Sequence, residues 1–501
     1  MHLIGLDVGT TGCKASVFDL HGATLGQGFR EYDVLCTEPT MAEQDAEHVW
    51  TLTHETLREA VQRAAVKDIA ALSVSVQGDA IIPVDREFRA LHQALLGMDY
   101  RSEPQARRCD ELFGAFELFQ RTGMRSHPLN SLNKVLYLRE TQPRVFERAW
   151  KIVTYADFIL GKLGAEPVID LTMASRTMAF DLAERRWSPT ILGRLGLSEA
   201  LFSRAVPSGT PVGTIRKDLA HEFGVPETLQ LVAGGHDQPC AALGCGMVRE
   251  RLGVVSTGTA EVLATAFAAP VLTRQMFDSF YPCYLHAQPG FYFTFALNHV
   301  GGILLKWYRD QFCAAEVAEA QRRHVNPYRL LDAHMPEGPS PVLVLPHFNG
   351  SGTPWCDLAS RGAIVGLTMA TTRHDIAKAI LEGLCFELLI NLDTMRETGI
   401  DVRELVAAGG GAKSALWLQL KADILGCPIR TLRCQETACL GAALLAGTAV
   451  GAYHSLEEAV AQTVVPDREY TPRPDLAARY REKFEVYRKL YPTLRPIHVQ
   501  L

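Results

Sequence analysis

Two segments of the same kind, one opening each half of the chain, restrict its architecture more than any other feature. In the first, Leu3-Ile4-Gly5-Leu6 reads as a buried strand, Asp7-Val8-Gly9-Thr10-Thr11-Gly12 as a tip, and Cys13 to Asp19 as a returning strand. In the second, the run Leu252 to Thr265 repeats strand, tip and strand around Ser256-Thr257-Gly258-Thr259. A tip rich in glycine and hydroxyls turns several backbone N–H groups toward one point and so forms a nest for anions. One such tip reads equally well as a plain hairpin with structural threonines. Two of them, one per half, predict a duplicated fold with a nucleotide held between the halves.

At 501 residues, the chain exceeds what one core commonly serves, and two large domains are the default. Hydrophobic content of 47% with 21% charged residues is ordinary for a globular protein. A net charge of −6 supplies no general basic field, which argues against a nucleic-acid partner. The twelve cysteines are scattered without metal-ligand spacing, so buried reduced thiols and a cytoplasmic location are expected. Strand residues begin directly after Met1, so no leader is expected. The longest charge-free apolar stretch, Thr437 to Tyr453, is short for a membrane span and reads as a buried helix.

Two further turns carry chemistry. Leu231-Val232-Ala233 is a strand end, and Gly234-Gly235-His236-Asp237-Gln238 reads as a tight turn needing two glycines, with Pro239 in the first turn of a helix. A carboxylate in that position is placed to act on a ligand above the sheet; the plain alternative is an aspartate capping the helix. Leu405 to Ala408, Gly409-Gly410-Gly411 and a helix over Leu416 to Leu425 form a second strand, glycine turn and helix, which lets backbone approach a flat or anionic ligand.

With Asn298-His299-Val300-Gly301-Gly302, Leu381-Glu382-Gly383, Gln419 and Ala422-Asp423, these motifs make the chain resemble the FGGY carbohydrate kinases over essentially its whole length. The resemblance implies an α/β fold of two ribonuclease-H-like, actin-like ATPase domains with an interdomain cleft. Their expected bounds are 1–247, with sugar site and base, and 248–501, with the nucleotide site and a C-terminal helix that packs back on the body. It implies ATP and Mg²⁺ as cofactors, a small sugar or polyol as substrate, no membrane partner, and admits a homodimer. The expected chemistry is transfer of the γ-phosphate to a hydroxyl of a neutral ketose or polyol; the rival reading is a catalytically silent, nucleotide-gated sugar-binding regulator.

Asp237 is the expected general base, with no unusual pKa required, since a sugar hydroxyl must lose its proton as the bond to phosphorus forms. Asp7 would be repelled by phosphate and is expected, with Asp237, to hold Mg²⁺. Thr10, Thr11, Gly258 and Thr259 are the expected phosphate contacts, and the resemblance puts Gly302, Gly410 and Gly411 beside the adenine. Lys413 reads as a solvated lysine at a helix start. For the sugar, the candidates are Gln77, Gly78, Asp79, Asp99, Arg101 and Gln238. Asp79 matches a glutamate of glycerol kinase, whose preceding arginine is Gly78 here, and a carboxylate there suits vicinal hydroxyls and disfavours an acidic sugar. Asp99 and Arg101 read equally well as an ion pair, and Trp355 as a packing residue.

Overall fold

In the computed structural model, which describes residues 1–501, each hairpin begins a large sheet. The first sheet holds β1 (His2–Val8), β2 (Gly12–Phe18), β3 (Thr24–Glu31), β4 (Ile69–Val76), β5 (Pro211–Thr214) and β6 (Gln230–His236), in the spatial order β5-β6-β4-β1-β2-β3. The second holds β7 (Leu252–Thr257), β8 (Glu261–Phe267), β9 (Tyr284–Leu285), β10 (Tyr292–Asn298), β11 (Glu404–Ala408), β12 (Ile429–Leu432) and β13 (Pro466–Tyr470), in the order β9-β10-β8-β7-β11-β12-β13.

Counted from its hairpin, each sheet is built the same way. Three strands pair antiparallel (β3-β2-β1 and β10-β8-β7), and two more continue parallel beside the first (β4-β6 and β11-β12). The duplication expected from the tips is thus a duplication of topology, and the fold is the two-domain, actin-like α/β arrangement. β1 and β4 read as nearly continuous apolar runs because both faces of the sheet are covered, and Leu6, Val8, Val74 and Val76 are fully buried.

The helices start where the sequence offers caps. Asp45 accepts the amides of Glu47 and His48 at the start of α1 (Ala46–Ala64), and Asp170 accepts those of Thr172 and Met173 at α2 (Leu171–Arg176). They are followed by α3 (Asp237–Gly244), α4 (Gly302–Phe312), α5 (Arg373–Glu397), α6 (Ala415–Leu425), α7 (Thr437–Ala449) and α8 (Pro474–Tyr487). Between β4 and β5 an insertion includes the helices Glu103–Phe113, Ala115–Thr122, Ser131–Thr141 and Pro143–Arg148.

Helix α7 is buried, as expected, but its partners lie in the other half of the chain. It packs on β1 and α3 so closely that a Cβ on Gly5 would stand 1.7 Å from the Cys439 carbonyl oxygen, and one on Gly441 1.9 Å from that of Cys240. Backbone meets backbone there, which only glycine allows. At the far end, α8 packs on α5, where Tyr487 Oη donates to Glu387 Oε1 at 2.5 Å and Tyr480 Oη to Glu382 Oε1 at 3.3 Å. No helix is long and apolar enough to cross a membrane. All twelve cysteines are unpaired, and most are buried.

Candidate functional site

Strand β6 delivers Asp237 to the cleft, though not by a glycine turn. Gly234 and Gly235 lie within the strand. Pairing with β4 jumps from Val232–Ser73 to Gly235–Ser75, and a Cβ on Gly234 would stand 1.6 Å from the Val74 carbonyl oxygen. The glycines therefore serve a strand irregularity pressed against its neighbour. His236 is the extended residue before the helix, and Asp237 is the first helical residue. No side chain caps this helix. Asp237 keeps about a third of its side chain open (32%), while its Oδ1 is buried without a hydrogen-bond partner.

A second carboxylate faces the same space. Asp7, near the end of β1, accepts Ser75 Oγ at 2.7 Å. Burial lifts Asp7 to about 6, against the hydrogen bond from Ser75 and the charge of Lys14. Burial also lifts Asp237 to about 7, helped by the charge of Asp7 and opposed by that of Arg176. The expectation that the base needs no unusual pKa is corrected here: two carboxylates share one enclosed space. That arrangement fits a hard divalent cation, which takes one or two carboxylates and keeps waters for the rest of its shell. No cluster of three or more His, Cys, Asp or Glu exists that would suit a metal caged by protein alone.

The glycine elements supply free amides. The Gly9-Thr10-Thr11 tip is pinned by its carbonyls: Tyr32 Oη donates to Gly9 O at 2.7 Å, and Gln44 Nε2 to Thr10 O at 2.5 Å. The amides of Thr10 and Thr11 donate to no protein group. The Gly258-Thr259-Ala260 tip is tied to the start of α4, because Gly301 N donates to Thr259 O at 2.7 Å and Gly302 N to Gly258 O at 2.8 Å. Gly302, expected beside the adenine, thus spends its amide on the tip. Gly409 (φ +77°) and Gly411 close on the same tip from β11, with Cβ positions 2.7 Å from Thr257 O and 2.6 Å from Thr257 Cβ. Gly410 lies between them at the start of a short 3-10 turn. Lys14, missed in the sequence, sits directly opposite Asp7 in the β1–β2 register and pairs with Glu436 at 2.7 Å.

The residues expected to read the sugar divide. Gln77 faces inward, its amide donating to Gly9 O at 3.3 Å and Gln44 Oε1 at 3.0 Å, so its donor is committed to holding the tip. Asp99 is buried and accepts the Ala42 amide at 3.0 Å; Arg101 binds Asp99 at 2.7 Å and Glu43 at 2.5 Å. Those two residues form the ion-pair alternative. Gln238 is half-buried in the first turn of α3, next to Asp237.

Asp79 lies at the centre. Its backbone is left-handed (φ +66°), and its carbonyl accepts Ser131 Oγ and Lys134 Nζ, each at 3.2 Å. Its Oδ2 accepts Nη2 of Arg176, at the end of α2, and both side chains are almost wholly buried. Arg176 went unnoticed in the sequence. Its guanidinium lies 4.9 Å from the ring centre of Tyr284 and 5.7 Å from that of Phe295, both from the second sheet. His236 Nδ1 is 3.1 Å from Tyr284 Oη, and its Nε2 is 3.1 Å from Asp237 Oδ1 but out of line for a hydrogen bond. Burial, then the charge of Arg176, pushes His236 well below its ordinary value, so the ring is neutral.

A cavity of about 310 Å³ adjoins the triple-glycine turn, lined by Gly409, Ala412, Lys413, Gln435 and Tyr470 among others. None of the three central carboxylates lines it. Trp355 stacks on Tyr491, with ring centres 4.8 Å apart. Comparison with known proteins gives two family matches. Residues 2–244 match the N-terminal domain of the FGGY family of carbohydrate kinases, and residues 253–450 match its C-terminal domain. A xylulose kinase of Bacillus subtilis is 27% identical over 100% of this chain and 98% of its own length. A gluconokinase of the same organism is 26% identical over 100% and 97%. The crystal structure of a ligand-bound xylulose kinase from Lactobacillus acidophilus superposes with a TM-score of 0.89 at 25% identity, covering 99% of this chain and 98% of the other.

Proposed function

The chain belongs to the FGGY family of carbohydrate kinases, and from that premise we propose that it transfers the γ-phosphate of ATP to a hydroxyl of a neutral ketose or polyol, with Asp237 as general base. The observation that carries this reading is the buried, unpartnered Oδ1 of Asp237 at the start of α3. A carboxylate oxygen left without a donor inside a protein is costly unless a ligand completes it. The hydroxyl that is to be phosphorylated is such a donor, and its proton passes to Asp237 as the oxygen attacks phosphorus.

The other parts follow from their chemistry. The free amides of Thr10 and Thr11, with the Gly258-Thr259 tip opposite, suit phosphate oxygens whose charge spreads in the transition state. Gly410 and Gly411 offer a side-chain-free surface to the rest of the nucleotide. Asp7 and Asp237 suit Mg²⁺, which when bound supplies charge neutralisation at the phosphates. Arg176 keeps a positive charge near Asp237 and favours its ionised form. Closure of the cleft excludes water that would otherwise take the phosphoryl group.

The test is a coupled ADP-release assay with Mg²⁺ across pentuloses, hexuloses, polyols and sugar acids. Acceptor-dependent turnover on a neutral compound, lost in Asp237→Asn, is the expected result. Turnover only on a sugar acid, or an Asp237→Asn protein as active as the wild type, overturns the assignment.

A further inference from the structure

We propose that Glu261, Lys421 and Thr257 form a buried clamp that fixes the spacing between the Gly258-Thr259 tip and the triple-glycine turn, and that this clamp sets nucleotide affinity without touching the nucleotide. The inference rests on the kinase reading for what the two elements bind, but on its own geometry for what holds them.

Three polar groups meet beneath the tip. Lys421 Nζ donates to Thr257 Oγ1 at 2.6 Å and pairs with Glu261 Oε1 at 2.6 Å, and Thr257 Oγ1 donates to the same carboxylate oxygen at 2.7 Å. Glu261 is 0% and Lys421 1% exposed, so the pair lies wholly inside the protein. The other carboxylate oxygen, Oε2, is buried without a partner, and Lys421 is the only cation paired with Glu261. Two charges taken out of water are costly, and an apolar pair of similar size commonly serves stability as well. What the ion pair adds is a fixed position.

That position joins the two elements. Thr257 ends β7 and Glu261 begins β8, opposite each other in register, so they are the two feet of the tip. Lys421 stands on α6, the helix that leaves the triple-glycine turn. One ammonium therefore holds both feet from the helix that carries the turn. Thr257 is also the residue on which the turn closes. A Cβ on Gly411 would stand 2.6 Å from Thr257 Cβ and 2.8 Å from its Cγ2. Bonds to the Thr257 hydroxyl fix the rotamer of that side chain, and with it the gap between tip and turn. A binding site works only when its parts are held to within about 0.5 Å of the productive geometry, and groups behind the contact residues do the holding.

The experiment compares wild type with the apolar double variant Glu261→Leu/Lys421→Met, with Thr257→Val, which keeps the ion pair and removes only the hydroxyl, and with Thr257→Ser, which restores it. Three readouts are taken on the full chain. They are the melting temperature without ligand, the Kd of Mg·ADP by calorimetry, and ligand-free hydrogen exchange at the Gly258, Gly301 and Gly302 amides, which all donate to tip carbonyls. The expected double variant melts close to the wild type, binds Mg·ADP tenfold or more weakly and exchanges faster at those amides. Thr257→Val should weaken Mg·ADP threefold or more, while Thr257→Ser binds it as the wild type does; a role in stability alone produces no such rescue. Where the double variant does not fold, the Thr257 variants decide. Folded variants that keep the wild-type Kd or the wild-type exchange overturn the proposal. If the wild type binds no Mg·ADP, the nucleotide reading falls; faster exchange in the variants then leaves the clamp standing, and unchanged exchange removes it too.

Discussion

Asp7 and Asp237 stand near neutrality, at about 6 and about 7, because burial opposes ionisation of both, and the charge of Asp7 adds to the shift of Asp237; this sets where the site can work. With Asp237 lifted to about 7, its base form is lost as pH falls below that value, so kcat/KM should drop about tenfold per unit on the acid side. A flat rate from pH 5 to 8 would remove Asp237 as the base. Asp237→Asn should lower kcat by roughly 10²–10⁴-fold without lowering the melting temperature, and at pH 8 should raise it, because the neutral amide escapes the cost of a buried carboxylate. The same groups affect stability with the opposite sign. Both carboxyls stand above their ordinary 3.8, so the stability they contribute is full below about pH 4 and is lost as pH rises through about 6 and 7. A cation held by both carboxylates relieves that loss. Mg²⁺ with nucleotide should therefore raise the melting temperature more at pH 8 than at pH 6, and an equal rise at both would contradict shared binding. The two acids were legible in the sequence because each ends a strand beside glycines. Arg176 was not, because its meaning lies in a partner 97 positions away. The bonds of Gln77 were hidden for the same reason: its amide goes to Gly9 and Gln44, which no local pattern reveals.

Among the elements, glycines that look alike in sequence serve different ends. Gly441 and Gly258 make the contrast testable. A methyl group at Gly441 meets the Cys240 carbonyl oxygen at 1.9 Å, so Gly441→Ala must push α7 away from α3 and should destabilise the fold by about 3 kcal/mol, measured by denaturant unfolding. At Gly258 nothing stands within 4 Å of the added methyl, and the backbone there is not left-handed. Folding does not require glycine at 258. Gly258→Ala should melt like the wild type, yet raise the KM for ATP tenfold or more if phosphate approaches that tip. A variant with normal ATP affinity would take the tip out of the nucleotide site. The hairpins and their duplication were readable because strand, tip and strand are contiguous. The seat of α7 was not: a helix apolar on all sides announces burial but not which sheet buries it, and it lies against the other half of the chain. Gly234 and Gly235 suggested a turn by composition alone, whereas the Val74 carbonyl on a neighbouring strand excludes a side chain at 234, and Cys240 Sγ and Thr172 Oγ1 crowd one at 235.

Across the whole molecule, the two halves are joined around β9 and along the seat of α7 on β1 and α3. Cys283 N donates to Gly123 O at 2.8 Å, Arg125 Nη1 to Phe277 O at 3.0 Å, and Leu285 N to Ser175 Oγ at 3.1 Å. These contacts fasten the segment around β9 to the insertion and to α2, and they set Tyr284 over Arg176. At the tips, by contrast, the amides of Thr10 and Thr11 have no partner. Motion that completes the site has to respect both joints, the β9 contacts and the backbone-tight seat of α7 on β1 and α3, while bringing the two tips together on the phosphates. Binding of a non-hydrolysable ATP analogue and acceptor together should reduce the radius of gyration in small-angle scattering. In hydrogen exchange, protection should rise at residues 9–12 and 258–260 while residues 283–285 stay constant. If the acceptor seats at the proposed site beside the fastened contacts, it alone should leave the radius unchanged, and the nucleotide should drive the closure. If residues 283–285 instead change most, or no compaction follows with both ligands bound, the hinge lies elsewhere and the β9 segment is a moving lid.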